Sequence, residues 1–396
     1  MMKGFVQQYF QKRLTRAMYK VIDCDRHVME PIDLWEQYVD PEVFKRDPVH
    51  LNLDTREKQA QRHTKTGYDL PLPPTYMIGS EPILGNWGEE QQIATALINS
   101  SSNTQRSLAT FPAGQIKSMD DVGVSVAMLF PTFAGYIVNH KDVSEDSSLA
   151  YAHAYNQWIE NFCSTSPERL MPVGLISRHS PSTLSTQVKD IALKGWRAIT
   201  IRPEPILGKT LGDPEYADFW AACEKYNITV TFHGGTHLQG NTVGTDRFNT
   251  RFSLHACSHP MEAQMAFVTL LESGVLERHP QLKFAFLEAG CSWVAHWLWR
   301  LDNICYNEFP SLTQDNITML PSEYFKRQFW VGIEIGEPIS DTLKAIGHEK
   351  MIFGSDFPHP DHLHFELCEI SKSLPELSTI QISDILEKNP KELFSL

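Results

Sequence analysis

After residue 115 the chain repeats one pattern, a short apolar run followed by a longer amphipathic stretch. The runs are 125–130, 171–176, 198–201, 229–232, 283–287, 330–335 and 351–353, and 19–23 near the N-terminus makes an eighth. They read as buried strands. The stretches between them (147–164, 181–193, 214–226, 260–273 and 292–307) read as helices. Ser180-Pro181 and Asp213-Pro214 each set a capping residue before a proline, a helix-start signal. Strands alternating with helices imply parallel β-α units joined by right-handed crossovers. Eight such units predict an α/β protein of the (β/α)8 TIM-barrel class. An open doubly wound sheet is the alternative. It is disfavoured because no glycine-rich phosphate loop follows the first strand and no G-x-G-x-x-G or P-loop occurs.

The pattern is interrupted once. Residues 31–117 separate the first strand from the helical piece 116–122; this segment is polar early, turn-rich later, and carries Ser100-Ser-Ser-Asn103, which reads as a flexible tip. In a barrel the loop after strand 1 lies on the catalytic face. The insertion is therefore expected to be a lid or a subunit contact. Residues 1–17, basic and without acids, read as a dispensable N-terminal extension, leaving 18–396 as a single barrel.

The formal charge is −13, which argues against nucleic acid or an anionic membrane as partner. No apolar run is long enough to span a bilayer. The seven cysteines, at 24, 163, 223, 257, 291, 305 and 368, are odd in number, widely spaced and without C-x-x-C. That suits reduced thiols in a cytoplasmic protein.

The chemistry lies at strand ends. Val21-Ile-Asp-Cys-Asp-Arg-His27 ends its strand in Asp25-x-His27, and residues i and i+2 of a strand share a face. A carboxylate and an imidazole side by side make half of a first-row metal site. Val230-Thr-Phe-His-Gly-Gly235 ends at His233, and Phe353-Gly-Ser-Asp356 ends at Asp356. A lone core histidine or a capping aspartate would explain either residue alone; together with Asp25 and His27 they complete a metal set. Glu288 follows the apolar run 284–287, where a carboxylate is costly unless paired or ligated. It is a further ligand, a general base, an orienter of a metal-bound histidine, or one half of an ion pair with Arg300. Arg202, after 199–201, either grips an anionic substrate or pairs with Glu204 or Asp213. His255 and His259 lie on the connection after the fifth strand, and His359 and Asp361 follow Asp356. No lysine ends the strand at Arg202, so a single metal is expected rather than a lysine-bridged pair.

These motifs resemble the amidohydrolase superfamily, in particular its amidohydrolase family 2 branch. The resemblance runs from about Met18 onward and rests on an ordered set. It includes Val21 to Pro31, Met119-Asp-Asp-Val-Gly-Val124, Phe232-His-Gly-Gly235, His259-Pro260-Met-Glu and Leu276-Glu-Arg-His-Pro-Gln-Leu-Lys283. Phe286-Leu-Glu-Ala-Gly-Cys-Ser-Trp293, Arg300-Leu-Asp302, Gly354 to Asp361 and Asn389-Pro-Lys-Glu-Leu-Phe394 complete it. It implies one divalent metal at the C-terminal face of the barrel, held by Asp25, His27, His233 and Asp356. Zinc is the first expectation and manganese the alternative. Two positions depart from the superfamily pattern. Asp25 stands where His is common on strand 1, and Glu288 where His is common on strand 6. Both add negative charge, which favours a harder metal.

The first functional expectation is a mononuclear metal-dependent hydrolase of a small amide, lactam, lactone or related cyclic compound. In that reading Asp356, Glu288 and His259 are catalytic, and Arg202, His255 and His359 contact substrate. The alternative is a metal-dependent non-oxidative decarboxylase of a small, aromatic or related carboxylate, for which Arg202 would be the grip. A non-catalytic, metal-stabilised binding barrel is the third reading. The family resemblance and the frequency of two-fold dimers also imply a homodimer.

Overall fold

The computed structural model describes residues 19–68, 70–360 and 370–396, with the Leu312 side chain left out. The proposed extension 1–17 and Asp361 lie outside the described residues. Val21–His27 forms β1. The insertion contributes three short antiparallel strands, Val49–Asn52 (β2), Thr75–Ile78 (β3) and Glu81–Pro82 (β4). Val124–Phe130 (β5), Leu170–Pro172 (β6), Gly174–Leu175 (β7), Ala198–Ile201 (β8), Thr229–His233 (β9), Phe284–Leu287 (β10), Phe329–Ile333 (β11) and Met351–Phe353 (β12) follow. The run expected at 171–176 is split at Val173, next to Pro172, which has no N–H to donate. Its first half pairs with β5 and its second with β8.

The ladders run β1-β5-β6 and β7-β8-β9-β10-β11-β12, all of them parallel. A parallel bridge between Arg26 and Phe357 brings the end of β1 against the segment after β12 and closes the (β/α)8 barrel. Alternation along the strands sorts the core into two layers. Phe284 and Phe286 of β10 face the helices, where Phe284 stacks on Phe329 with centroids 4.7 Å apart and Phe329 meets Phe267 of helix Pro260–Glu272 at 5.0 Å. Ala285 and Leu287 face the barrel interior with Ile22, Cys24, Val126, Met128 and Ile352.

The insertion is more ordered than its sequence suggests. It carries helices Arg56–Thr66, Glu89–Ser100 and Asn103–Leu108. Within Ser100-Ser-Ser-Asn103, Ser101 and Ser102 form the tight turn between two helices; Ser102 is buried and its neighbours are exposed. Helix Glu89–Ser100 is clipped to the β9 loop through Gln91, which donates to Asn249 O and accepts from Arg251 N. The six described cysteines are free thiols. Among the described residues no helix is long and apolar enough to cross a membrane.

Candidate metal centre and its pocket

Asp25, His27, His233 and Asp356 converge at the C-terminal end of the barrel, and their ligand atoms all lie within 4.8 Å of one another. His27 Nε2 is 2.9 Å from His233 Nε2, 3.4 Å from Asp25 Oδ1 and 3.2 Å from Asp356 Oδ1. His233 Nε2 is 3.4 Å from Asp25 Oδ1. On both rings the other nitrogen faces a backbone carbonyl, Pro131 O at 2.9 Å from His27 Nδ1 and Gly234 O at 3.3 Å from His233 Nδ1. A proton held on Nδ1 leaves the Nε2 lone pair for a metal. Two such lone pairs facing each other are unfavourable without a cation between them. Burial alone would disfavour a charged His27, yet the Asp25 and Asp356 carboxylates raise its pKa well above the ordinary value. Burial likewise opposes ionisation of Asp25, but the His233 and His27 rings pull its pKa down to about 2. Asp25 Oδ1 is buried without a hydrogen bond among the described residues. The donor set of two imidazoles and two carboxylates therefore fits one divalent ion.

Local backbone geometry sets these groups. A register shift between Asp23 and Arg26 interrupts the β1 ladder, a bulge of the kind that re-aims side chains beside active sites. Cys24 faces the interior below it, and Asp25 and His27 turn to the pocket above it. Asp356 and Glu288 each follow a barrel strand or its short extension in the left-handed region, at φ 48° and φ 50°.

A cavity of about 160 Å3 opens over the cluster and is lined by His27, His233, Glu288, Arg202, His255, His259 and His359. Every remaining described candidate is therefore at the site. Glu288 Oε2 lies 3.4 Å from His233 Nε2 and 3.7 Å from His259 Nδ1. Its contact with the pocket imidazoles takes the place of the Arg300 pairing considered from sequence. His259 is held neutral: burial pushes its pKa well down, and the neighbouring His255, His233 and Arg202 push it further. Thr236 Oγ1 sits 3.0 Å from His255 Nδ1 and 3.4 Å from His259 Nε2. His359 bridges Asp356 Oδ1 (2.8 Å) and Thr132 Oγ1 (3.1 Å), and burial lowers its pKa.

Arg202 meets both of its sequence readings. Its Nε pairs with Glu204 Oε1 at 3.0 Å, and it also lines the cavity, with its guanidinium 4.5 Å from the Tyr136 ring centroid. Among the described residues Arg202 Nη2, buried, has no hydrogen-bond partner. Burial raises the pKa of Glu204, but the Arg202 charge and His237 bring it down to about 2. Gly235 permits the close approach, since a Cβ there would stand 2.5 Å from Arg202 Nη1. Sequence reasoning missed Tyr136, Arg251, Arg106, Asn99 and Thr95, which also line the cavity. Tyr136 lies six residues past β5, so extending the search along each strand-to-helix connection would have found it. The last three belong to the insertion, which forms one wall of the pocket.

A parallel barrel with a buried mixed His and carboxylate cluster at its C-terminal mouth defines a metal-dependent TIM-barrel enzyme. The family model described as Amidohydrolase matches residues 22–396, and the chain belongs to that family. It is 26% identical over 282 residues to 2-amino-3-carboxymuconate-6-semialdehyde decarboxylase of Dictyostelium discoideum, covering 70% of this chain and 74% of the relative. In fold it is similar to an amidohydrolase from Mycobacterium avium subsp. paratuberculosis, with TM-score 0.74, 21% identity and coverage of 95% of this chain and 99% of that one. It is also similar to 5-carboxyvanillate decarboxylase from Novosphingobium aromaticivorans, a structure complexed with manganese and 4-hydroxy-3-methoxy-5-nitrobenzoic acid. There the TM-score is 0.66, with 14% identity and 96% coverage of both chains.

Proposed function

We propose that this protein is a metal-dependent non-oxidative decarboxylase of a small unsaturated or aromatic carboxylate. The observation that carries the reading is the cationic wall of the pocket. Arg106, Arg202 and Arg251 line the same cavity as the four-ligand cluster, and guanidinium forks suit a carboxylate substrate. The decarboxylase relatives support this reading over the hydrolase expected first from sequence.

A divalent ion held by Asp25, His27, His233 and Asp356 would supply electrostatic stabilisation to the substrate carboxylate and the oxygen next to it. Arg202, kept charged and oriented by Glu204, offers its unpartnered Nη2 to the substrate anion. The bond from carbon to carboxylate then breaks, carbon dioxide leaves, and a proton takes its place on the carbon. We assign that proton to the Glu288–His259 pair, which faces the cluster without belonging to it. Neutral His259 relays a solvent proton to Glu288 between turnovers, taking it up on one ring nitrogen as it releases one from the other. His359 orients Asp356 through its Nδ1.

The test is a carbon dioxide release assay on chelator-stripped protein reloaded with manganese or zinc, using a panel of hydroxybenzoates and unsaturated dicarboxylates. In D2O the product should carry one deuterium at the vacated carbon. Turnover of amides, esters or lactones with no carbon dioxide released from any carboxylate would return the site to the hydrolase reading.

A further inference from the structure

Three of the four metal ligands, Asp25, His27 and Asp356, straddle a seam of the barrel that no ladder closes. Among the described residues β1 is laddered to β5 and β12 to β11, and no ladder joins β1 to β12. Two backbone hydrogen bonds cross this seam near the site, Asp356 N to Asp25 O at 2.8 Å and His27 N to Phe357 O at 2.7 Å. Side chains add further contacts across it: His27 to Asp356, Arg26 over the Phe357 ring at 3.9 Å, and a set made by Asp23, a fully buried carboxylate the reaction does not use.

Asp23 Oδ1 accepts from Ser355 N at 2.9 Å and from Asp25 N at 3.3 Å, and Asp23 Oδ2 accepts from Ser355 Oγ at 2.6 Å. Ser355 Oγ in turn accepts from Phe357 N at 3.2 Å. One carboxylate therefore holds the residue before Asp356 and the residue at Asp25, while the serine hydroxyl holds the residue after Asp356. Behind Asp23 stands Arg26, whose Nη1 is 3.3 Å from Asp23 Oδ2 and whose Nε donates to Gln115 Oε1 at 2.9 Å. Gln115 Nε2 donates to His27 O at 2.6 Å. Residues 23 and 26 would fall on opposite faces of a regular strand. The β1 bulge brings them together.

What this network holds is costly. Asp356 is in the left-handed region, at φ 48°, a conformation costly to a residue other than glycine and maintained only where the surroundings over-determine it. The Asp23–Ser355 clamp fixes the backbone on either side of it. We propose that Asp23 and Ser355 are positioning residues for the metal. Their clamp holds Asp356 in its left-handed conformation and sets its carboxylate against Asp25 and His27, so that closure of the seam and metal affinity are one equilibrium. The proposal rests on the four-ligand metal reading and is independent of which reaction the site performs.

The experiment measures the metal affinity of chelator-stripped protein by competition with a chromophoric chelator, alongside the thermal midpoint of the metal-free chain. Ser355→Thr and Ser355→Val are nearly isosteric and differ in the hydroxyl, so the pair removes the clamp at constant volume. Ser355→Val should weaken manganese or zinc binding by about tenfold or more, the usual effect of losing a group that orients a ligand. Ser355→Thr should stay within about threefold of wild type. Asp23→Asn, which keeps one acceptor for the serine, should fall between them. Overturning results are Ser355→Val binding metal as tightly as Ser355→Thr, or the two differing in metal-free stability alone. If Ser355→Val does not fold, the comparison of Asp23→Asn with wild type decides, and unchanged affinity there overturns the proposal. A wild-type chain that binds no metal would instead refute the metal reading itself.

Discussion

Glu262 offers a test in which the structure sets both sign and size. It lies in the first turn of helix Pro260–Glu272, two residues past Pro260 and 2% exposed, and its Oε1 accepts from Val243 N, tying the β9 loop to the helix below His259. Burial raises its pKa and the Glu204 charge raises it further. The Val243 N–H and Arg202 oppose this, and the balance lifts it from 4.5 to about 7. Between those values the folded chain keeps a proton that the unfolded chain has released. The slope of stability with pH follows protons bound by the unfolded state minus those bound by the native state, so this group makes stability fall as pH rises from 4.5 to about 7. At about 1.4 kcal/mol per pH unit the ceiling is about 3 kcal/mol. Glu262→Gln keeps the oxygen that Val243 uses and removes the titration. Urea unfolding of both metal-free chains at about pH 5 and about pH 8 isolates the group by difference. Wild type should lose about 1–3 kcal/mol relative to the variant over that interval. Parallel profiles, within about 0.5 kcal/mol at both pH values, would refute the assignment of a buried, neutral Glu262.

Three other outcomes follow from the site. His233→Ala should abolish stoichiometric metal binding, read by elemental analysis after dialysis; full retention would remove His233 from the ligand set. Glu288→Gln should lower kcat by about 10²–10⁴-fold while the protein still binds metal, and loss of the metal instead would make Glu288 a ligand rather than a proton carrier. Gly354→Ala places a Cβ 2.5 Å from Asp25 Cβ, so the seam must open. Metal affinity should fall about tenfold or more, and a chain binding as tightly as wild type would show that the seam tolerates the displacement.

The barrel was legible because its signal is local: each strand is an apolar run bounded by a helix-start or turn signal, and parallel crossovers leave few topologies. The metal set was legible for the same reason. Asp25, His27, His233 and Asp356 all sit at the ends of such runs or within three residues of them, so periodicity and chemical type were sufficient to pick them out. The insertion was not. Its helices Arg56–Thr66 and Glu89–Ser100 are largely exposed, with Arg62 and Ala96 their buried residues, and so lack the apolar stripe that marks a helix in sequence. The balance between hydrolysis and decarboxylation was hidden for a related reason. The groups that weigh on it, Arg106 from the insertion, Arg251 from the β9 loop and Tyr136 past β5, come from segments with no common period, and only the folded chain brings them to one cavity. The same holds for Asp23 and Arg26, whose pairing depends on a bulge that a regular-strand reading of Val21–His27 excludes. The acidic bias of Asp25 and Glu288, unexplained while only strand ends were visible, acquires a counterweight once these arginines are in place. On the decarboxylase proposal, an anionic substrate would enter between these arginines and over a floor that holds a divalent cation, so metal binding and substrate binding should each strengthen the other.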